Sequence, residues 1–279
     1  MRRKRLSLIT SLVLLVLLFG GLGWTIYSPI RQERLNRTLL AAIKQNDTKT
    51  ALSLLAEGAD PNARDKPPVS FSFKRMLLQL FHKPAPAMDS PMALTLAMGV
   101  QIQADTYGSG LFCCEDDYDE AGGVQIVKAL CEHGADVNSR GPGGYTPLMA
   151  SAMTPASATI TKILLDRGAQ VNARSNDGTT ALMLAASDSN PQTITLLLDS
   201  GADVNAHDNQ GNTPLIETVE VTGNGPFLAN MGLLIARHAR VNMRNKNEES
   251  ALMLAQRNAK QDKRALAFVK LLQQAGAKE

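Results

Sequence analysis

Gly201-Ala202-Asp203-Val204-Asn205 is one copy of a five-residue phrase that returns along most of the chain. The other copies, some of them degenerate, lie at residues 58–62, 134–138, 168–172 and 238–242. The interval is 34 residues from Gly134 to Gly168 and 33 from Gly168 to Gly201. Each unit of a tandem repeat buries its apolar face only against its neighbours, so a fixed period predicts a stacked array. Longer intervals elsewhere, such as 76 residues from Gly58 to Gly134, indicate insertions.

One unit, taken from residue 178 to residue 210, shows the local pattern. Thr180 precedes a run with apolar residues three and four apart, which predicts a helix with Thr180 as its N-cap. A second helix is predicted over residues 193–200. Gly201 should end that helix, because a left-handed backbone after a helix is least strained for glycine. A polar turn at residues 208–211 then leads into the next unit.

At these residues the chain resembles an ankyrin-repeat protein, over about residues 36–279. The family pattern is a Gly-x-Thr-Pro-Leu-His-Leu-Ala-Ala opening, a Leu-Leu helix and a Gly-Ala-Asp-x-Asn exit. The resemblance implies an all-α solenoid of about six helix-turn-helix units, which we place at residues 36–65, 90–140, 144–177, 178–210, 211–247 and 248–279. The usual histidine of the first helix is replaced here by Met149, Met183, Ile216 and Met253. This departure predicts adaptable apolar packing between units.

The amino terminus carries the pattern of a membrane anchor. Residues 6–27 hold no charge, follow a basic block at residues 2–5 and end in Trp24 and Tyr27. At about 1.5 Å per residue the run is long enough to cross a hydrocarbon core of about 30 Å. The alternative is a cleaved signal peptide with Gly21-Leu22-Gly23 as a poor cleavage site. A retained anchor predicts a single-pass inner-membrane protein, with residues 1–35 as its anchoring segment, its amino terminus in the cytoplasm and its ankyrin body periplasmic or extracellular.

Composition and motifs argue against an enzyme and against a nucleic-acid binder. Beyond residue 36 the formal charge is close to neutral, so no broad basic surface for phosphates is expected. The four histidines include no pair at metal-ligand spacing, and no Gly-x-Ser-x-Gly elbow or phosphate loop occurs. We therefore predict no catalytic residue, no metal, no cofactor and no small-molecule substrate.

A basic ladder is predicted two residues after each exit asparagine. Its members are Arg64, Arg140, Arg174, His207 and Arg244. Stacking would align them along one edge of the array, where they would suit carboxylates on a protein partner. The alternative is that they are solvated tips without a partner. The resemblance adds Tyr145, Asn176, Asn209, Gln210 and Lys246 as candidate contacts, because ankyrin proteins bind through these tips.

Three insertions are not explained by stacking. Residues 66–89 contain an apolar stripe with basic edges, which predicts a helix packed on the array, an interfacial membrane helix or a partner-binding helix. Residues 100–123 carry an acidic run and are expected to form a solvated recognition loop. Its candidate contacts are Asp116, Asp117, Tyr118 and Asp119. Calcium is not favoured there because the run lacks the turn glycine and the later glutamate of a calcium loop. Residues 222–226 should lengthen the turn between two helices.

The three cysteines leave two alternatives open. Cys131 is interpreted as a small apolar core residue or as the partner of Cys113 or Cys114 in a disulfide. Together these observations predict a membrane-anchored, non-enzymatic protein-binding module, with inhibition of an envelope enzyme as one role. The alternatives are a metal- or redox-responsive module built on Cys113, Cys114 and the acidic insertion, or a structural membrane scaffold.

Overall fold

The computed structural model describes residues 28–65, 93–98, 100–103, 110–113, 120–154, 157–187, 190–220 and 227–278. The predicted anchor at 6–27, the apolar stripe at 66–89, the acidic residues Asp116–Asp119 and the short insertion at 222–226 lie outside these ranges. Within the described ranges, no helix combines the length and the apolar character needed to cross a bilayer.

Six pairs of helices account for most of the described chain. In order, the pairs are α1 (28–44) with α2 (Thr48–Ala56), α3 (Ala93–Leu96) with α4 (Glu120–Glu132), α5 (Pro147–Ser151) with α6 (Ser157–Asp166), α7 (Ala181–Ser187) with α8 (Pro191–Asp199), α9 (Pro214–Glu220) with α10 (Phe227–Ala236), and α11 (Ala251–Ala259) with α12 (Leu266–Gln274). Short 3-10 turns cover Pro142–Gly144 and Lys263–Ala265. We call the pairs units 1 to 6.

The helices stack in two rows. First helices pack on first helices, from α3 through α5, α7 and α9 to α11, and second helices pack on second helices from α2 to α12. The core lies between the rows and runs continuously through the units. In each unit from the third to the fifth, the residue that replaces the family histidine is buried. This arrangement confirms the predicted stack of helical units, and it is consistent with ankyrin repeats.

Helix starts and ends follow from single residues. The hydroxyls of Thr146, Thr180, Thr213 and Ser250 each accept a backbone N–H from three residues on, at 3.3–3.4 Å. Thr180 is therefore the N-cap that its position predicts. Helix α8 starts two residues earlier than predicted, because Asn190 caps it and Pro191 takes its first position. Gly201 has φ +88°, as the left-handed end of α8 requires, and His238 reaches φ +64° at the equivalent position.

The second insertion corrects the predicted loop. Strands β1 (Val100–Gln103) and β2 (Gly110–Cys113) pair antiparallel, with Val100 opposite Cys113 and Ile102 opposite Leu111. The alternation of Val100 and Ile102 with two glutamines is typical of a strand with one apolar face, a signal that the adjacent acidic run obscured. Helix α4 begins at Glu120, so the insertion ends before the predicted residue 123. The all-α description holds for the units, to which this hairpin is added.

The first unit extends beyond the predicted boundary at residue 36. Helix α1 already covers residue 28. Its Gln32 Nε2 donates to the Gly58 carbonyl at 2.8 Å, and its Asn36 Oδ1 accepts the Asp60 N–H at 2.8 Å. Gln32 of the added turns and Asn36 thus both bind the exit loop of unit 1.

Candidate interaction surface

The exit asparagine of each phrase binds the next unit. Asn138 Nδ2 donates to the Gly168 carbonyl at 3.1 Å, and its Oδ1 accepts the Gln170 N–H at 2.7 Å. Asn172 makes the same two bonds to unit 4, at 3.0 and 2.8 Å. Asn62 and Asn242 make both equivalent bonds, and the Oδ1 of Asn205 accepts the Arg240 N–H at 2.7 Å. The phrase that sets the sequence period therefore also joins the units physically.

Backbone bonds join the turns between units in a second row. The turns at residues 141–145, 175–179, 208–212 and 245–249 each close with a hydrogen bond from the first residue to the fifth. Asn176 N–H donates to the Gly143 carbonyl, Asn209 N–H to Asp177 and Lys246 N–H to Gln210, at 2.7–2.8 Å. We call this row of four turns the tip edge. Hydrogen bonds therefore fix the backbone of the tip edge both within each turn and between neighbouring turns.

The predicted basic ladder has a structural role that the sequence did not reveal. Arg64 Nη2 donates to the Arg140 carbonyl at 3.2 Å, and Arg140 Nη1 donates to the Arg174 carbonyl at 2.8 Å. Arg244 Nη1 donates to the Glu248 carbonyl of its own turn at 3.1 Å. Three of the five ladder positions therefore hold backbone, and the first two bind one unit to the next. A guanidinium has five N–H donors, so each of these bonds uses only part of its capacity.

The other two ladder residues differ from these three, because their side chains do not bind backbone carbonyls among the described residues. Arg174 and His207 both lie on the surface. Within the described ranges their side chains form no hydrogen bond or ion pair. The Arg174 guanidinium lies over Gly178, where an added Cβ would be 2.7 Å from its Nη2. The candidate contacts Asn176, Asn209, Gln210 and Lys246 are also exposed.

Carboxylates balance the cations of the tip edge. Asp208 accepts the N–H groups of Gln210 and Asn212, both at 2.8 Å. Asp177 accepts the Ser175 hydroxyl. Because these acids alternate with the arginines, the edge is mixed in charge and not strongly basic. Recognition there depends on close contact more than on long-range attraction.

Tyr145 is removed from the candidate contacts. Its side chain is only 4% exposed and packs in the core. The residue stands directly before the Thr146 cap, where the chain turns inward to start α5. A buried ring at this position supports the turn and does not reach a partner. The acidic candidates Asp116, Asp117, Tyr118 and Asp119 fall outside the described residues.

Cys131 is a free thiol in the core. It is 8% exposed, as its interpretation as a small apolar residue requires. Burial raises the pKa of the Cys131 thiol, and the nearby Arg167 offsets part of that effect. A thiol with a raised pKa is a poor nucleophile at neutral pH. Across the described ranges, no three His, Cys, Asp or Glu side chains are grouped to hold a metal ion.

Comparison with known families agrees with this geometry. Residues 156–231 match a family model described as Ankyrin repeats (3 copies). This stretch consists of ankyrin repeats. It covers α6 to the middle of α10, and the units on either side repeat its helix pairs and asparagine bonds. No curated protein matches the chain.

Ankyrin repeats are protein–protein interaction modules and are typically non-enzymatic, and no catalytic family is indicated for this chain. The stacked units of such proteins form extended surfaces that suit a protein partner.

Proposed function

We propose that the chain is a membrane-anchored, non-enzymatic array that presents its tip edge to a protein partner outside the cytoplasm. One observation carries the proposal. The backbone of the tip edge is held by bonds between turns, while Gln210 and Lys246 on it remain exposed. Arg174 and His207, each directly before one of the turns, are exposed as well. The edge therefore combines a repeated frame with side chains that differ from unit to unit.

The energetics of binding favour such an edge. Association loses free energy when loops and side chains must be ordered at the interface. Turns that already hold one another through hydrogen bonds of 2.7–2.8 Å lose little backbone freedom on binding. Each turn then needs to order only its exposed side chains.

The anchor is supported by the uncharged run at residues 6–27 and its basic flank. Residue 28, directly after the run, is already part of α1. An anchor would therefore join the array without a separate linker and would limit its orientation at the membrane. A protein that binds without catalysis can act on an enzyme of the envelope by covering it, so we favour an inhibitory role there.

Photo-crosslinking in the intact cell tests the binding surface. A photoreactive residue at Gln210 or Lys246 of the full chain should form adducts with the same partner protein. The matched controls carry it at Lys49 of α2 or Lys162 of α6, which are also exposed but lie on second helices. Adducts from the controls and none from the tip positions would reject the tip edge. An absence of protein adducts from every position would reject the binding function.

Membrane topology is tested separately. A reporter fused after Glu279 should be active only outside the cytoplasm, and the full chain should remain with membranes after alkaline extraction. Cytoplasmic reporter activity would contradict the orientation, and a soluble chain would contradict the anchor.

A further inference from the structure

The exit loops of the units form one row along the array. Each exit asparagine binds the exit loop of the next unit, from Asn62, which binds Gly134, to Asn242, which binds Gly276. From Asn138 to Asn242, a turn of the tip edge begins three residues after each exit asparagine. The exit loops and the tip edge therefore lie at the same ends of the helices, and we call them together the exit side. The turns between the first and second helix of each unit lie at the other ends, which we call the far side.

Helix α1 enters the array at the exit side. Gln32 Nε2 donates to the Gly58 carbonyl, and Asn36 Oδ1 accepts a backbone N–H of the same exit loop, both at 2.8 Å. An exit asparagine makes the same two bonds to the next unit, so the start of α1 takes the place of a preceding exit loop. Residue 28 lies four residues before Gln32 in the same helix, about 6 Å away along its axis. The proposed anchor at residues 6–27 therefore joins the array at the exit side.

We infer that the exit side faces the bilayer and that the partner of the tip edge is a protein of the same membrane. The inference rests on the proposed anchor and on the proposed binding at the tip edge. Each first helix starts at the exit side and ends at the far side, so an anchor attached to the start of α1 brings the exit side of unit 1 to the bilayer. The bonds between exit loops keep this side continuous from unit 1 to unit 6.

The exit side and the far side are separated by the length of a helix. Helix α11 has nine residues, spans about 13 Å and separates Lys246 on the tip edge from Gln261 on the far side. Both residues are exposed. A protein held in the same bilayer meets the exit side first, whereas the far side is open to soluble proteins of the envelope.

The charges of the exit side favour a protein partner over lipid head groups. Seven Lys or Arg and eight Asp or Glu lie in its loops and turns, over residues 58–65, 134–145, 168–179, 201–212, 238–249 and 276–278. These counts give a formal charge of −1, whereas attraction to an anionic bilayer requires a cluster of basic residues. A surface of mixed charge suits a protein, which presents the opposite charges at fixed positions.

Energy transfer to the bilayer tests the orientation. The full chain is reconstituted into vesicles of phosphatidylethanolamine and phosphatidylglycerol that carry an acceptor dye on their head groups. A donor dye is attached to a non-canonical residue at Lys246 or, in the matched control, at Gln261 of the same unit. Transfer should be stronger from position 246 than from position 261. Equal transfer, or stronger transfer from position 261, would overturn the orientation and leave the proposed anchor and the binding function standing.

The class of partner is tested in cells with the photoreactive residue at Gln210 or Lys246. The protein in the adduct should be one that alkaline extraction leaves in the membranes of cells lacking this chain. A partner that this extraction releases is not a membrane-embedded protein, and it would contradict the inference while leaving binding at the tip edge intact. Adducts with lipid alone would reject both the inference and the binding function. Release of the full chain itself would overturn the proposed anchor and the orientation with it.

Discussion

At the residue scale, stability depends on the exit asparagines. Asn138 belongs to unit 2, yet both of its side-chain hydrogen bonds, at 3.1 and 2.7 Å, go to the backbone of unit 3. Asn138→Ala should lower the free energy of unfolding by about 1–3 kcal/mol, since a protein hydrogen bond contributes about 0.5–1.5 kcal/mol. Urea denaturation followed by circular dichroism measures the change.

The matched control for Asn138 is Asn247, which is exposed at a tip and uses only its backbone N–H in the turn. Asn247→Ala should change the free energy of unfolding by about 0.5 kcal/mol or less. Equal losses from the two variants would mean that the asparagine bonds do not join the units.

Substitution of two glycines distinguishes the destabilisation caused by backbone strain from the destabilisation caused by close packing. Gly168 and Gly178 both have positive φ, +81° and +87°. A Cβ at Gly168 would meet nothing within 4 Å, whereas at Gly178 it would be 2.9 Å from the backbone nitrogen of Asn209. Gly168→Ala should cost about 1–2 kcal/mol from the left-handed backbone alone. Gly178→Ala should cost about 1–3 kcal/mol more, because two turns must separate. Thermal unfolding measures the stability of both variants. Equal losses of stability would exclude close contact between neighbouring turns of the tip edge.

At the element scale, the position of a helix in the stack decides how much its side chains matter. Met183 of α7 is 2% exposed between neighbouring units, and Met253 at the equivalent position of α11 is 38% exposed. Met183→Ala should cost about 2–5 kcal/mol through the cavity it leaves. Met253→Ala should cost about 1 kcal/mol or less. Urea denaturation measures both losses of stability, and similar losses would contradict the difference in burial between the two methionines.

The elements were predictable where one residue sets the local backbone. Thr180 begins α7 and Gly201 follows α8, as their types require. Unit 1 was predicted to begin at residue 36, and the turns of α1 before it were missed because they are polar. The hydrogen bonds of Gln32 and Asn36 to the exit loop of unit 1 depend on the folded arrangement and are not visible in the sequence. The strands at residues 100–103 and 110–113 were not predicted. Each is short, and the acidic run beside them indicated a loop.

The candidate site was predictable in position and not in contacts. The sequence places Arg64, Arg140 and Arg174 in register because they follow the same phrase. It does not show that the first two donate to the carbonyl of the next ladder residue, because that depends on the distance between stacked turns. Nor does it show that Tyr145 faces the core, since a tyrosine suits both a turn and an interface.

At the scale of the whole molecule, the array has distinct sides. The tip edge holds its backbone through bonds between units and exposes side chains that differ from turn to turn. The row of second helices carries the exposed side chains of Leu228 and Leu266.

The central claim is that the tip edge binds a protein partner, and the affinity of the crosslinked partner tests it most directly. The full chain carrying Gln210→Ala with Lys246→Ala should bind that partner about 2- to 30-fold more weakly, with an unchanged unfolding temperature, if each exposed contact contributes about 0.2–1 kcal/mol. The control Lys49→Ala with Lys162→Ala should bind as the unchanged chain does. Calorimetric titration that finds the tip variant at full affinity would contradict the claim.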